Sequence, residues 1–142
     1  MEQLLVDVRV ARRIDASPER VFDAWLDPER ARRFLFATPT GEMVRAEIDP
    51  RLGGRYCLVD RREGTDVEHR GEYLALDRPR RLVFSFWVSG FHDQVSRVAI
   101  DIVPAGAGAD ITLTNGPLPA EWAERAREGW AGILDGLAAT TE

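Results

Sequence analysis

The chain has 142 residues, 44% apolar and 30% charged, which suffices for one core and is too apolar for a disordered segment. Its cations are 19 arginines with no lysine, set against 24 acidic residues, for a net charge of −5. That balance, with the arginines scattered among acids, excludes a protein that wraps nucleic acid or lies on an anionic membrane through a basic patch.

Residues 4–14 (LLVDVRVARRI) alternate around Val6, Val8 and Val10, the period of a strand. Ser17-Pro18-Glu19 reads as a helix start: a capping hydroxyl, a proline suited to the first turn and an acid at the positive end. That helix carries Val21, Phe22 and Trp25 on one face and ends near Asp27-Pro28, where Asp27-Pro28-Glu29 repeats the signal and predicts a second short helix over 28–34. Turn signals then recur at Thr40-Gly41, Gly53-Gly54, Gly64-Thr65-Asp66, Arg78-Pro79, Ser89-Gly90 and 105–109. Between them lie strand-like runs at 43–49, 55–62, 67–77, 81–88, 95–103 and 110–115, joined by connections short enough for antiparallel neighbours. From Pro119 the period becomes helical, with Trp122, Ala126, Trp130, Ile133 and Leu137 on one face and Glu121, Glu124, Arg125 and Glu128 opposite.

The expected fold class is therefore α+β. A curved antiparallel sheet of about seven strands wraps a long C-terminal helix, with two short helices after the first strand, all in one domain over 1–142. One helix cannot cover the concave face of seven strands, so the remainder is filled by large side chains or left as a cavity. Gly129, Gly132 and Gly136 in the last helix mark either close packing against another backbone, the favoured reading, or a helix that shifts to admit something.

Several local motifs, taken in order, carry a resemblance. They are Ser17-Pro18-Glu19-Arg20-Val21-Phe22 with Trp25 and Asp27-Pro28-Glu29, then Ile48-Asp49-Pro50-Arg51 with Gly53-Gly54-Arg55-Tyr56. Arg70-Gly71-Glu72-Tyr73-Leu74, Arg81-Leu82-Val83-Phe84 and Gly129-Trp130 with Leu134 and Leu137 complete the set, from about residue 8 to 139. Together they resemble the SRPBCC superfamily (START-like, Bet v 1-like, helix-grip) and within it the family named after the activator of the heat-shock-protein-90 ATPase. The resemblance implies a deep pocket between sheet and last helix, which holds lipids, polyketides or other apolar molecules in relatives. A minority of relatives catalyse cyclisation, hydrolysis or dehydration there. The co-chaperone members carry a further chaperone-binding domain, for which 142 residues leave no space.

Strand parity supplies the candidate pocket residues. Leu82, Phe84 and Phe86 share a face, as do Val98, Ile100 and Ile102 with Ser96, Ile111 and Leu113 with Asn115, and Val67, His69, Gly71 and Tyr73; Tyr56, Leu58 and Asp60 point the same way. The expected ligand-pocket set is Trp25, Phe34, Phe36, Tyr56, Leu58, His69, Tyr73, Phe84, Phe86, Ser96, Val98, Ile100, Leu113, Asn115, Trp122, Trp130 and Ile133. The inward polar groups are Tyr56, Asp60, His69, Tyr73, Ser96 and Asn115, set in an otherwise apolar lining of the kind small-molecule sites have.

Each polar candidate also has an ordinary structural role open to it. His69 is a candidate base or a satisfied strand histidine, and Asp60 a candidate base or the partner of a neighbouring arginine. Tyr56 and Tyr73 serve as core aromatics, and Asn115 before Gly116-Pro117 as a turn residue. His69 and Glu72 stand an odd number of residues apart on a strand, hence on opposite faces, so no metal site is expected. His92-Asp93 falls in a loop, as a gate to the pocket or as a solvated turn, and Phe34-Leu35-Phe36 reads as an apolar lid or a packed helix end. Val83 and Trp87, on the outer face of the sheet, suggest either a homodimer contact or isolated exposed apolar residues.

Phosphate loops, dinucleotide fingerprints, nucleophile elbows and zinc-protease motifs do not occur, and no cofactor is expected. Cys57 alone excludes an internal disulfide and points away from the pocket as an inert thiol. The start MEQLLVDVRV lacks a signal-peptide pattern, and no apolar run nears the ~18 residues of a membrane span. These features together predict a cytoplasmic protein that binds a small hydrophobic or amphipathic molecule, with neither nucleic acid nor membrane insertion. The alternatives are a polyketide-cyclase- or hydrolase-like enzyme in the same pocket and an interaction module with a chaperone partner.

Overall fold

The computed structural model describes residues 4–90 and 95–142. Strand β1 (Leu5–Ile14) leads into helices α1 (Pro18–Ala24) and α2 (Pro28–Phe34), both started by the signals read above. The Ser17 hydroxyl accepts from the Arg20 N–H at 3.2 Å and the Asp27 carboxylate from the Glu29 N–H at 3.0 Å, so each cap satisfies a donor that the first turn leaves over. Six strands follow: β2 (Glu42–Ile48), β3 (Arg55–Arg62), β4 (Thr65–Asp77), β5 (Arg81–Val88), β6 (Ser96–Ala105) and β7 (Gly108–Pro119). A short 3-10 turn (Ala120–Trp122) then opens helix α3 (Ala123–Thr141). The seven strands form one open antiparallel sheet in the order β1-β7-β6-β5-β4-β3-β2, with β7 returning to pair with the edge strand β1. With α3 laid across the concave face, this is the expected helix-grip arrangement. No helix among the described residues is long and apolar enough to cross a membrane.

Several boundaries differ from those expected, two of them with a clear local cause. The β3–β4 turn is Glu63-Gly64, both at positive φ (51° and 81°) as a two-residue type I′ hairpin requires, so Thr65 and Asp66 already belong to β4. Strand β7 does not stop at Asn115 but runs through Gly116 and Pro117 to Pro119. Proline is tolerated there because the β6 ladder ends at the Arg97–Gly116 pair, and beyond it β7 pairs with β1 alone. Asn115 is accordingly an inward residue within a strand and not a turn residue.

The glycine-rich α3 corrects another expectation. Only Gly136 is closely packed, with the Phe34 Cβ 3.0 Å from where its own Cβ would stand. Around Gly129 and Gly132 no atom of the described residues beyond their own stretch of helix lies within 4 Å of that position. The buried side chains of α3 are Trp130, Leu134, Leu137, Ala138 and Thr141, none of them in its first two turns. The part that carries them fills the space over the sheet with α1 and α2, while the N-terminal turns of the helix do not.

On the outer face, Val83 is buried and Trp87 half-buried, its ring capped by the Arg70 guanidinium 4.2 Å from the centroid. Cys57 lies half-buried on the same face with Sγ 3.6 Å from a Glu68 carboxylate oxygen; burial first, then the neighbouring carboxylate, push its pKa up. A thiol held protonated there is a poor nucleophile.

Candidate functional site

Beneath the first turns of α3 the concave face holds a cavity of about 320 Å³. It is roughly twice the ~150 Å³ engineered apolar void that accepts benzene, and falls at the lower end of the range for natural ligand pockets. The wall on the helix side is Trp122, Arg125, Ala126, Gly129, Trp130 and Ile133. Opposite stand Arg62 of β3, His69 of β4, Phe86 and Val88 of β5, Ser96 of β6, and Asn115 and Leu118 of β7, with Phe36, Ala37 and Thr38 after α2 closing one side.

Of the residues expected in a pocket, the structure brings Phe36, His69, Phe86, Ser96, Asn115, Trp122, Trp130 and Ile133 to this wall. Trp25, Phe34, Tyr56, Leu58, Tyr73, Phe84, Val98, Ile100 and Leu113 are buried elsewhere in the core and line none of it. Trp25 meets Phe34 edge-on at 5.2 Å, and Tyr56, Tyr73 and Phe84 pack at 5.3–6.4 Å, so aromatic rings fill the space that parity alone left open. The Tyr56 hydroxyl donates to the Ser85 carbonyl at 2.7 Å, and burial raises the pKa of both tyrosines. His92 and Asp93 lie outside the described residues.

Phe36 organises the floor. It sits at φ 62°, a left-handed conformation uncommon for a bulky residue. That turn places its ring parallel to the His69 imidazole (4.2 Å, 3°), parallel to Phe86 at 5.2 Å, and edge-on to Trp130 at 5.8 Å. Phe34, Leu35 and Phe36 are all buried, so the segment is a packed helix end whose last ring also forms cavity wall.

His69 is 4% exposed and donates from Nδ1 to the Leu58 carbonyl at 3.3 Å. Burial, and then the Arg62 guanidinium, push its pKa down to about 4, only partly opposed by the Leu58 and Val67 carbonyls and the Asp60 carboxylate. The imidazole is neutral at pH 7 and a weak base. In the unfolded chain a histidine takes its proton near 6.5, whereas here it does so near 4. As pH falls between those values the unfolded state binds a proton that the native state refuses. The contribution of His69 is therefore complete above pH 6.5 and is lost towards pH 4, by on the order of 3 kcal/mol. The difference in stability between the wild type and His69→Phe, measured by urea unfolding, should shrink across that window; a constant difference would contradict this.

Asp60 is 1% exposed and is not among the residues that line the cavity, although its partners Thr38 and Arg62 are. One carboxylate oxygen receives both the Arg62 Nε–H and the Thr38 hydroxyl at 2.8 Å, while the other, Oδ1, has no partner among the described residues. The neighbouring-arginine role left open by the sequence is the one the structure shows. Gly41 belongs to this knot, because a Cβ there would collide with the Thr38 hydroxyl and the Asp60 carboxylate. Arg62, missed in the sequence, has the same parity as Leu58 and Asp60 and also donates to the Phe36 carbonyl at 3.0 Å.

Asn115 ties the helix to the sheet. Its amide donates to the Ser96 hydroxyl at 2.9 Å and to the Arg97 carbonyl at 3.0 Å, and its carbonyl accepts from the Trp130 indole at 3.0 Å. Both amide hydrogens are spent, whereas the Ser96 hydroxyl proton reaches no acceptor among the described residues.

Residues 15–142 match the family model described as Activator of Hsp90 ATPase homolog 1-like protein. The chain belongs to that family. The resemblance carried by the Ser17-Pro18 and Arg70-Gly71-Glu72-Tyr73 motifs thus agrees with a match over nearly all of the sequence. No curated protein matches it. Among solved structures, a Chromobacterium violaceum protein is 27% identical, with 96% of each chain covered and a TM-score of 0.87. A Rhizobium loti protein (24% identical, 99% of each chain, TM-score 0.82) and one from Rhizobium leguminosarum (17%, 98% of this chain and 95% of the other, 0.83) share the fold. The cavity is therefore carried by an Activator of Hsp90 ATPase homolog 1-like fold, and its chemistry has to be argued from the residues that line it.

Proposed function

We propose that this protein binds a small apolar or amphipathic molecule in the cavity under α3. The observation that carries the reading is an apolar-walled space of about 320 Å³ beside Gly129, where the helix has no side chain to fill it. Aromatic and aliphatic walls exclude water-loving guests and reward burial of carbon at about 25 cal/mol per Å². The Ser96 hydroxyl adds one inward donor for a polar group on the guest.

The enzyme reading lacks support of equal weight, because His69 is a weak buried base and Asp60 is committed to Arg62 and Thr38. The family's name mentions an activator of a chaperone ATPase, and an interaction module of that type needs a contiguous apolar patch. The large exposed hydrophobic residues, such as Leu52, Leu74, Val95 and Val103, do not by themselves define such a patch, and no observation here favours that reading over the cavity.

Thermal unfolding in the presence of octan-1-ol, decan-1-ol, dodecan-1-ol and naphthalene tests the reading. A guest at one hundred times its Kd stabilises the native state by about 2.7 kcal/mol, a rise in Tm of roughly 8 °C. Gly129→Leu should abolish the rise without lowering the Tm of the free protein, since its side chain enters open space on a helix that prefers leucine to glycine. No shift with any of the four compounds would overturn the proposal.

A further inference from the structure

Resting on that reading, we infer that the preferred guest is an acidic amphiphile, an apolar body with one carboxylate-like group held at the cavity mouth by Arg125 and Arg62. The charged groups lining the cavity among the described residues are these two arginines, with no aspartate or glutamate. Acids outnumber bases 24 to 19 in the chain, so a lining that followed composition would lean the other way. Arg62 is largely committed to Asp60, and this leaves Arg125 as the cation with charge to spare.

Helical spacing puts Glu121 and Glu128 next to Arg125, yet neither comes within ion-pair distance of it among the described residues. The Arg125 guanidinium rests instead over the face of Trp122, 5.2 Å from the ring centroid, and both side chains are part of the cavity wall. A guanidinium held on an aromatic face beside an apolar opening keeps its in-plane N–H donors available to a planar anion. The deeper polar groups are uncharged at pH 7: His69 is neutral, and Ser96 and Asn115 carry no charge. A guest entering tail first leaves its anion level with the arginines. The volume suits about ten non-hydrogen atoms at roughly 30 Å³ each.

The test uses three probes of one chain length, sodium decanoate, decan-1-ol and decylamine, each below the concentration at which it self-associates. Binding is read by calorimetry at pH 7.5 in 50 and 500 mM NaCl. Decanoate is expected to bind at least about threefold more tightly than decan-1-ol and to lose that advantage at high salt, with decylamine the weakest. Arg125→Gln, an exposed position where folding is safe, should weaken decanoate about three- to tenfold and decan-1-ol much less. Equal binding of decanoate and decan-1-ol, or equal weakening of both by Arg125→Gln, would overturn the charge preference while leaving the cavity reading in place. Failure of all three probes to bind would overturn both.

Discussion

Gly71→Ala is expected to lower the melting temperature by roughly 10 °C, a loss of about 3 kcal/mol, although it adds one methyl group in the middle of a strand. The reason lies in how β4 meets β5. The pairs Arg70–Trp87 and Tyr73–Phe84 flank a gap in which the Glu72 N–H donates to the Ser85 hydroxyl at 2.9 Å instead of to a backbone carbonyl. A Cβ on Gly71 would collide with the Ser85 carbonyl oxygen and come within 2.9 Å of the Tyr56 ring. The same carbonyl accepts the Tyr56 hydroxyl, so moving it aside also breaks a buried hydrogen bond. Circular dichroism melting of the variant checks this, and a change below about 2 °C would show that the strands can yield there at little cost.

Arg62→Met is expected to destabilise the protein by about 2–3 kcal/mol at pH 7, the lower end for a broken buried pair because Arg62 keeps a third of its side chain in solvent. Among the described residues, removing the guanidinium leaves the Asp60 carboxylate with the Thr38 hydroxyl alone and one oxygen already unpartnered. The double variant Asp60→Asn/Arg62→Met removes the orphaned charge and should recover part of the loss. A double-mutant cycle by urea unfolding checks both statements; a double variant no more stable than Arg62→Met would contradict the assignment.

These two sites also show what the sequence does and does not disclose. The fold was legible because its punctuation is local: Ser17-Pro18 and Asp27-Pro28 start helices wherever they stand, and short Gly-containing turns admit little besides antiparallel neighbours. Parity likewise marked Tyr56, Asp60, His69, Tyr73, Ser96 and Asn115 as inward, and all six are buried. Where along each strand the interior stays open was not legible. That depends on how far the N-terminal turns of α3 stand off the sheet, a tertiary quantity to which Trp25, Phe84 and Leu113 contribute as filled core and Phe86 and Ser96 as wall.

The missed wall residues differ in kind. Arg62 and Val88 continue the parity of their strands and were within reach of the same rule. Helical period puts Arg125 on the solvent face of α3, and it is exposed, but its guanidinium lies over Trp122 on the cavity wall. Thr38 lies in an irregular segment where no period applies. The glycines of α3 split: close packing, the favoured reading, holds at Gly136 against Phe34, while Gly129 is exposed on the cavity wall and a Cβ there would meet nothing within 4 Å.

The four tryptophans supply the most direct test of a guest beneath α3. Trp122 and Trp130 line the cavity, Trp25 is sealed in the core, and Trp87 lies on the outer face under Arg70. In a titration with decan-1-ol followed through the indole N–H resonances by heteronuclear NMR, the account predicts progressive shifts for Trp122 and Trp130 while Trp87 stays in place. Shifts confined to Trp87, or none at saturating probe, would contradict it.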